Sequence, residues 1–189
     1  MAEIPRIPIE TLETERLRLR PLEEGDASRI QALLPNPNVM RYLTKAMPWP
    51  YPDDGAKKFL GRTLPRIAAG EEYVWAILLK GREAEGLIGV ISLDPAAEGS
   101  HRGFWLGEPY WGQGLMREAA AAVTDFAFDR LGMAELRLDN AEPNVASDRL
   151  KASAGAEIVS TGEADYVGGR FREVRWRLTA EAWRRSRRP

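Results

Sequence analysis

The stretch Gly103–Ala119, which reads GFWLGEPYWGQGLMREA, constrains the fold of this chain more than any other. A short apolar strand is followed by a turn that carries Gly112 and Gly114, and a helix begins immediately after it. Because glycine has no side chain, backbone N–H groups in such a turn can approach a ligand closely. The first helical N–H groups have no partner inside the helix and lie at the positive end of its dipole. The stretch therefore predicts a site for an anion, most often a phosphate, and hence a phosphate-bearing cofactor.

The composition is typical of a soluble globular protein. The 189 residues are 44% hydrophobic and 29% charged, which predicts a single domain spanning residues 1–189. With 27 basic and 28 acidic residues the net charge is −1, so no nucleic acid is expected as a partner. No apolar run approaches the roughly 20 residues that cross a bilayer, so no membrane partner is expected either.

The chain contains no cysteine. This excludes disulfides, thiolate metal sites and a cysteine nucleophile, and it fits a reducing compartment. The N-terminus lacks the apolar core of a signal peptide. We therefore expect a cytoplasmic protein with no bound metal.

The order of the predicted elements indicates an α+β fold. Strands are predicted near residues 15–22, 73–79, 86–93, 103–106, 134–139, 156–161 and 172–178. Helices are predicted near residues 27–34, 54–69, 114–131 and 145–153, with a final helical segment that carries Trp183. Hairpins are mixed with a crossover helix, which argues against a regularly alternating doubly wound sheet.

Two segments leave alternatives open. The Pro-rich segment Met47–Pro52 predicts an extended loop that either packs its rings on the core or forms a wall of a substrate cleft. The turn Gly112–Gly114 lacks the third glycine of a dinucleotide motif and lies past the middle of the chain. On its own, this Gly-x-Gly is equally compatible with a tight strand-to-helix turn.

The chain resembles the Gcn5-related N-acetyltransferase superfamily, and within it the RimJ/RimL branch, which acetylates ribosomal-protein N-termini and related amines. The segments that carry the resemblance are 14–22, 47–50, 87–89, 103–114, 144–149 and Gly155. The resemblance implies a GNAT-like three-layer fold, with a mixed, mostly antiparallel central sheet flanked by helices. It also implies acetyl-CoA as cosubstrate and an amine acceptor, either a protein N-terminus or a small molecule. A homodimer is compatible with it, since dimers are common among relatives.

The resemblance assigns the pyrophosphate of acetyl-CoA to the turn and the first turn of the helix. The residues whose backbone N–H groups would cradle it are Gly112, Gln113, Gly114, Leu115, Met116 and Arg117. The thioester carbonyl would lie against Trp105 and Leu106, where a backbone N–H could hold the developing oxyanion. Trp111 and Met116 depart from the superfamily signature Gln/Arg-x-x-Gly-x-Gly/Ala.

A second cofactor segment follows the strand 134–139. Asn144 is in the position of a helix N-cap. By resemblance, Asn144 and Ser147 contact the pantetheine arm of CoA. Many relatives place a Tyr seven residues after this Asn to protonate the leaving thiolate, whereas this chain has Lys151. Ser147 is then the candidate that hydrogen-bonds the thiolate, and Lys151 either reaches a phosphate or is solvated.

The implied reaction is direct attack of a neutral amine on the thioester in a ternary complex, without an acyl-enzyme. An amine must first lose its proton, so a base is needed. The candidates are Glu108, Asp94 and His101, the only histidine. The sequence does not choose among them, because Glu108 could instead only cap the turn, and an exposed loop residue is the commoner role for a histidine in the position of His101. The altered signature and the missing Tyr keep a second hypothesis open, a non-catalytic CoA-binding module that acts as a sensor or partner-binding domain.

Overall fold

The computed structural model describes residues 5–187, whose strands form two antiparallel sheets. The first sheet contains, in spatial order, β1 (Leu12–Glu13), β2 (Leu17–Pro21), β3 (Tyr73–Leu79), β4 (Gly89–Leu93) and β5 (Arg102–Leu106). The second contains β6 (Glu135–Ala141), β8 (Gly169–Thr179) and β7 (Glu157–Tyr166), with β8 in the centre. Residues 1–4, the start of the N-terminal segment, and residues 188–189 at the end of the basic C-terminus lie outside this range.

Helices flank the sheets. They are α1 (Ala27–Leu33), α2 (Pro37–Met40), α3 (Gly55–Ala68), α4 (Leu115–Asp125), α5 (Val145–Ser153) and α6 (Ala180–Ser186). The helix predicted at 114–131 is found in two parts, because α4 continues into a π-helical turn at Phe126–Arg130. Within residues 5–187, no helix is both long and apolar enough to cross a membrane.

The central strand β3 is apolar throughout because helices cover both of its faces. Tyr73, Trp75 and Ile77 point into a core shared with α4 and the second sheet. The residues between them point into a second core formed with α1, α2 and α3. Successive side chains of a strand alternate between faces, so a strand buried on both sides needs no polar residues. The resulting order is helices, sheet, helix, and it confirms the predicted α+β three-layer fold.

The two sheets meet at one end of β5 and β6. The backbone N–H of His101 donates to the carbonyl of Arg137 at 2.8 Å. Beyond that point, residues 103–106 pair with β4 alone, and no strand within the described range occupies their other edge. Every strand pair described is antiparallel, in two sheets rather than one continuous mixed sheet. The separation leaves a gap between β5 and β6 that closes at His101.

The segment Met47–Pro52 is an irregular connection, as predicted. Tyr51 and Met47 pack against the second core, and the Tyr51 ring lies directly over Gly55, where an added Cβ would be 2.7 Å from it. Trp49, in contrast, is 45% exposed. One ring therefore fixes the segment on the core while the other remains available at the surface.

Candidate functional site

The candidate site is the gap between β5 and β6, because within residues 5–187 the outer edge of β5, the last strand of the first sheet, is unpaired there. Backbone N–H and C=O groups away from water require partners. The unpaired edge of residues 103–106 therefore offers hydrogen bonds to an extended ligand. The turn that follows β5 lies at one end of this strand, and α5, which follows β6, borders the gap from the other side.

The turn after β5 presents a row of backbone donors. Gly112 and Gly114 both have positive φ, 74° and 76°, a conformation that favours glycine. Residues 111–114 are exposed, and a Cβ at Gly112 would meet no atom within 4 Å. No hydrogen-bond acceptor is recorded within residues 5–187 for the six N–H groups of Gly112–Arg117. Together with the N-terminus of α4, this arrangement forms a site for an anion.

The turn is held by Arg16, the residue before β2, which is itself paired with Glu118 of α4. Arg16 Nη1 donates to the Gln113 carbonyl at 2.9 Å, which directs that carbonyl away from the row of N–H groups. Arg16 also forms an ion pair with Glu118, Nε to Oε2 at 2.7 Å. On the opposite side of the turn, Trp111 Nε1 donates to the Leu106 carbonyl at 2.7 Å. The conformation of the turn is therefore fixed by neighbours before any ligand binds.

The N-terminus of α5 carries the predicted polar residues. Asn144 is the N-cap, and its Oδ1 accepts from the backbone N–H of Ser147 at 3.3 Å. The predicted capping role of Asn144 is therefore confirmed. Ser147 is 5% exposed, and its Oγ accepts from Nζ of Lys151 at 2.6 Å, one helical turn away. Lys151 is neither solvated nor at an exposed phosphate site, because its side chain is only 2% exposed.

Lys151 lies among charges in a dry environment. Burial, with the nearby guanidinium of Arg102 as the second cause, lowers the pKa of Lys151 to about 7. Asp139 and Asp148 act in the opposite direction and raise it. Nζ is also 6.0 Å from the centroid of the Phe104 ring, so the ammonium group of this α5 residue lies near a side chain of β5.

Arg102 is a second buried cation at the floor of the gap. Its Nη1 donates to Thr124 Oγ1 at 2.8 Å, and burial lowers its pKa to about 10. Among residues 5–187, Nε and Nη2 of Arg102 find no hydrogen-bond partner. Because like charges disfavour each other at low dielectric, Arg102 makes protonation of Lys151 less favourable.

A buried amide connects α5 to the second sheet. Asn140 Nδ2 donates to Asp148 Oδ1 at 2.7 Å, and Asn140 Oδ1 accepts from Trp176 Nε1 at 3.1 Å. This network fixes the first turn of α5 against β6 and β8. The hydroxyl of Ser147 and the ammonium group of Lys151 thus belong to a helix whose position is set by buried hydrogen bonds.

Glu108 lies at the surface, two residues after the end of β5. Its carboxylate accepts from Asn36 Nδ2 at 2.6 Å and from Asn38 Nδ2 at 2.8 Å. Asn36 and Asn38 belong to the start of α2, and Asn36 Oδ1 also caps that helix by accepting from the N–H of Asn38. The carboxylate is thereby held in one orientation while it remains accessible to solvent.

The other two candidate bases lie elsewhere. His101 is not an exposed loop residue; it is 6% exposed, and its Nδ1 accepts from the backbone N–H of Arg137 at 3.0 Å. Burial, and then the Arg137 guanidinium, lower the pKa of His101. Asp94 forms an ion pair with Arg66 at 3.0 Å. The structure therefore brings Ser147 to the gap and Glu108 to the end of β5, whereas His101 lies at the closed end and Asp94 beyond it.

Sequence reasoning did not identify several residues of this site. Arg102 and Asp139 are charged residues in segments whose sequence pattern indicated ordinary strands. In the structure, burial raises the pKa of Asp139, and the nearby Glu173 carboxylate raises it further. The sequence offered one signal for the role of Lys151. Ser147 and Lys151 are four residues apart on a predicted helix, a spacing that permits contact between their side chains. Nothing local indicated that Asn36 and Asn38 hold Glu108, since about 70 residues separate them in sequence.

Comparison with known proteins identifies one family. A family model described as an acetyltransferase (GNAT) domain matches residues 16–157. FsC-acetyl coenzyme A-N(2)-transacetylase of Aspergillus fumigatus is 28% identical over 198 residues, which cover 95% of this chain and 80% of that protein. An N-acetyltransferase p20 of Bacillus licheniformis, described by its name as uncharacterized, is 26% identical over 144 residues, covering 75% of this chain and 79% of that protein.

Solved structures share the fold. The ribosomal-protein-S5-alanine acetyltransferase of Vibrio fischeri has a TM-score of 0.77 at 17% identity, covering 92% of this chain and 98% of that chain. RimL, a ribosomal L7/L12 alpha-N-protein acetyltransferase in complex with coenzyme A, has a TM-score of 0.76 at 18% identity, covering 92% and 99%. At these identities the likeness establishes the common fold.

Proposed function

The chain belongs to the acetyltransferase (GNAT) domain family, and from that premise we propose that it transfers an acetyl group from acetyl-CoA to a primary amine by direct attack in a ternary complex. The observation that carries the proposal is the row of backbone N–H groups at Gly112–Arg117 beside the edge of β5, since neither the row nor the edge has a backbone partner in the part of the chain that the structure describes. A pyrophosphate matches such a row in charge and in hydrogen-bonding capacity.

In this proposal acetyl-CoA lies along the gap between β5 and β6. The turn holds the pyrophosphate, and the pantetheine arm passes between the open strand edge and Asn144 and Ser147. The thioester carbonyl lies at Trp105 and Leu106, where a backbone N–H stabilises the negative charge that develops on the carbonyl oxygen. Donors fixed in advance at such a position contribute most once the bound substrates exclude water.

We assign the general base to Glu108. Its carboxylate is accessible, and two asparagine amides orient it at the end of the strand that receives the thioester. The nitrogen atoms of His101 are turned toward Arg137, and the carboxylate of Asp94 is paired with Arg66. Glu108 is therefore the candidate that can accept a proton from an incoming amine without first losing an ion pair.

The acceptor belongs to one of two classes. Structural neighbours are named as acetyltransferases of ribosomal proteins, which supports a protein N-terminus. The Aspergillus fumigatus relative is named as an N(2)-transacetylase, which supports a small amine. Both classes present a primary amine, so the proposed chemistry is the same for each.

The test combines calorimetry with a thiol-release assay. We expect acetyl-CoA to bind and thiol to be released with at least one member of a panel of N-terminal peptides, polyamines, aminoglycosides and amino acids. Tight binding of acetyl-CoA without transfer to any of them would favour the alternative, a non-catalytic CoA-binding module. Thermal protection by ATP or NAD, with none by CoA, would instead point to a nucleotide site at the glycine turn.

A further inference from the structure

Lys151, which forms no ion pair with any residue in the range 5–187, is buried beside the proposed reaction site. Lys151 is 2% exposed, and the contact recorded for its ammonium group is a hydrogen bond to Ser147 Oγ at 2.6 Å. Burial of an amine charge is costly, and a lysine that serves stability alone is normally paired or extended to solvent. The burial of Lys151 therefore indicates that its ammonium group has a function other than stabilising the fold.

Ser147 cannot supply a proton without replacement. A hydroxyl that gives its proton to a leaving thiolate becomes an alkoxide, which is a far stronger base than the thiolate. The transfer becomes feasible when a second group returns a proton to the oxygen in the same step. The ammonium group of Lys151 already donates a hydrogen bond to that oxygen, along the path that the proton would follow.

We propose that Lys151 supplies, through the Ser147 hydroxyl, the proton that the CoA sulfur takes up when the thioester bond breaks. This inference rests on the proposed function. The amine nitrogen forms a bond to the carbonyl carbon and loses one proton to the general base. The C–S bond then breaks, the sulfur takes the hydroxyl proton of Ser147, and Ser147 takes a proton from Lys151. Lys151 is left as a neutral amine and regains its proton from solvent.

The charges around Lys151 suit an acid that works near neutral pH. Arg102 on β5 lowers the pKa of Lys151, while Asp139 on β6 and Asp148 on α5 raise it. The pKa of about 7 means that the ammonium form is present at neutral pH and readily gives up its proton. Since the acid must be protonated, kcat should fall as the pH rises above that value.

The first experiment measures the ionisation of the thiol of bound CoA from the ultraviolet absorbance of the thiolate. If Lys151 and Ser147 face the sulfur, the thiolate should hold Lys151 in its ammonium form, and that positive charge should in turn lower the pKa of the bound thiol. We expect that pKa to be about one unit or more higher in Lys151→Met than in the wild-type protein. The matched control is Lys58→Met, which removes an exposed lysine from α3 and should leave the thiol unchanged.

The second experiment measures kinetics with an acceptor amine found in the transfer screen. Lys151→Met should lower kcat by about 100-fold. It should also abolish the fall of kcat above neutral pH and leave the dissociation constant of acetyl-CoA unchanged. Lys151→Gln keeps a hydrogen-bond donor near Ser147 without a transferable proton, so it should show the same loss of kcat and the same loss of pH dependence as Lys151→Met. Lys151→Tyr should recover part of the activity, with the fall displaced toward the higher pKa of a phenol, about 10.

The outcomes separate the two proposals. If the wild-type protein does not bind CoA, the proposed function and this inference are both overturned. CoA binding with the same thiol pKa in wild type and Lys151→Met would overturn only the inference. Equal kcat values and pH profiles in wild type and Lys151→Gln would overturn it as well, because a lysine with a merely structural role would not control either quantity.

Discussion

The two walls of the gap differ in how they hold their chemical groups. On the α5 wall, Ser147 and Lys151 are almost fully buried, and the helix that carries them is tied to the second sheet by Asn140. On the opposite rim, Glu108 is exposed and is oriented by Asn36 and Asn38, which come from another layer of the fold. The first wall is a fixed, dry environment, whereas the second is accessible and depends on side-chain contacts.

This difference matches the demands of the two substrates in the proposed reaction. The same cosubstrate binds in every catalytic cycle, so backbone groups and buried charges in fixed positions can bind it. The effects of such groups are strong at low dielectric. An acceptor has to enter from solvent and must be recognised at the surface. Changes at the glycine turn or at Asn144 should therefore alter CoA binding, and changes at Lys151 should alter the release of the thiol. Changes to the rim should alter turnover with the amine and leave CoA binding unchanged.

The largest effect is expected at the glycine turn, for Gly114→Asp. Gly114 lies at the N-cap of α4 with φ of 76°, where the new carboxylate would stand beside the proposed pyrophosphate. We expect binding of acetyl-CoA to be abolished in calorimetry. Gly114→Asn is the matched control, because it imposes the same backbone strain without the charge. If both variants bind equally well, the pyrophosphate does not lie at this turn.

The rim should respond differently. Replacement of the proposed base in Glu108→Gln is expected to lower kcat/KM for the amine by about 100-fold or more, since general base catalysis contributes on that scale. The affinity for acetyl-CoA should stay unchanged in calorimetry, which is the reverse of the effect at Gly114. Asp94→Asn removes the competing carboxylate and should remain much closer to wild type. A larger loss in Asp94→Asn than in Glu108→Gln would show that the base was assigned to the wrong residue.

The two walls also differ in how far the sequence predicts them. The strand, turn and helix at Gly103–Ala119 follow from local rules, namely apolar strand residues, glycines with positive φ and a helix start. The N-cap at Asn144 is local as well. These features depend on residues close in sequence, and the elements that carry them were predicted correctly apart from boundaries and the π-helical turn.

What could not be predicted depends on packing between distant elements. The burial of Lys151 follows from the approach of α5 to Phe104 and Arg102 on another strand. The burial of His101 follows from the contact of β5 with β6 at Arg137. A lysine on a short helix is exposed to solvent in most proteins. The sequence alone, which does not show the tertiary contacts, therefore predicts an exposed Lys151, whereas the residue is buried.

The buried charge on the α5 wall should also be visible in stability. The pKa of Lys151 is lowered from 10.5 to about 7, so between these values the unfolded chain binds more protons than the folded chain, and stability rises with pH. Lys151→Met removes this cost. We expect it to raise the free energy of unfolding by about 1 to 4 kcal/mol at or below neutral pH, with the gain disappearing as the pH approaches 10.5. Urea denaturation of both proteins across this range measures the difference, and a gain independent of pH would mean that packing rather than charge is responsible.

The smallest effect is expected at the N-cap of α5, where a matched pair of variants distinguishes a loss of stability from a loss of acetyl-CoA binding. Asn144→Ala removes the cap of α5 and should lower the free energy of unfolding by about 1 kcal/mol. Thr179→Ala removes the equivalent cap of α6, where Thr179 Oγ1 accepts from the N–H of Ala182 at 3.1 Å, and should cost a similar amount. Only Asn144→Ala should also raise the dissociation constant of acetyl-CoA, because the proposed contact with the pantetheine arm is made by Asn144 and not by Thr179. If the two variants weaken acetyl-CoA binding equally, the effect comes from general destabilisation, and Asn144 makes no contact with the cosubstrate.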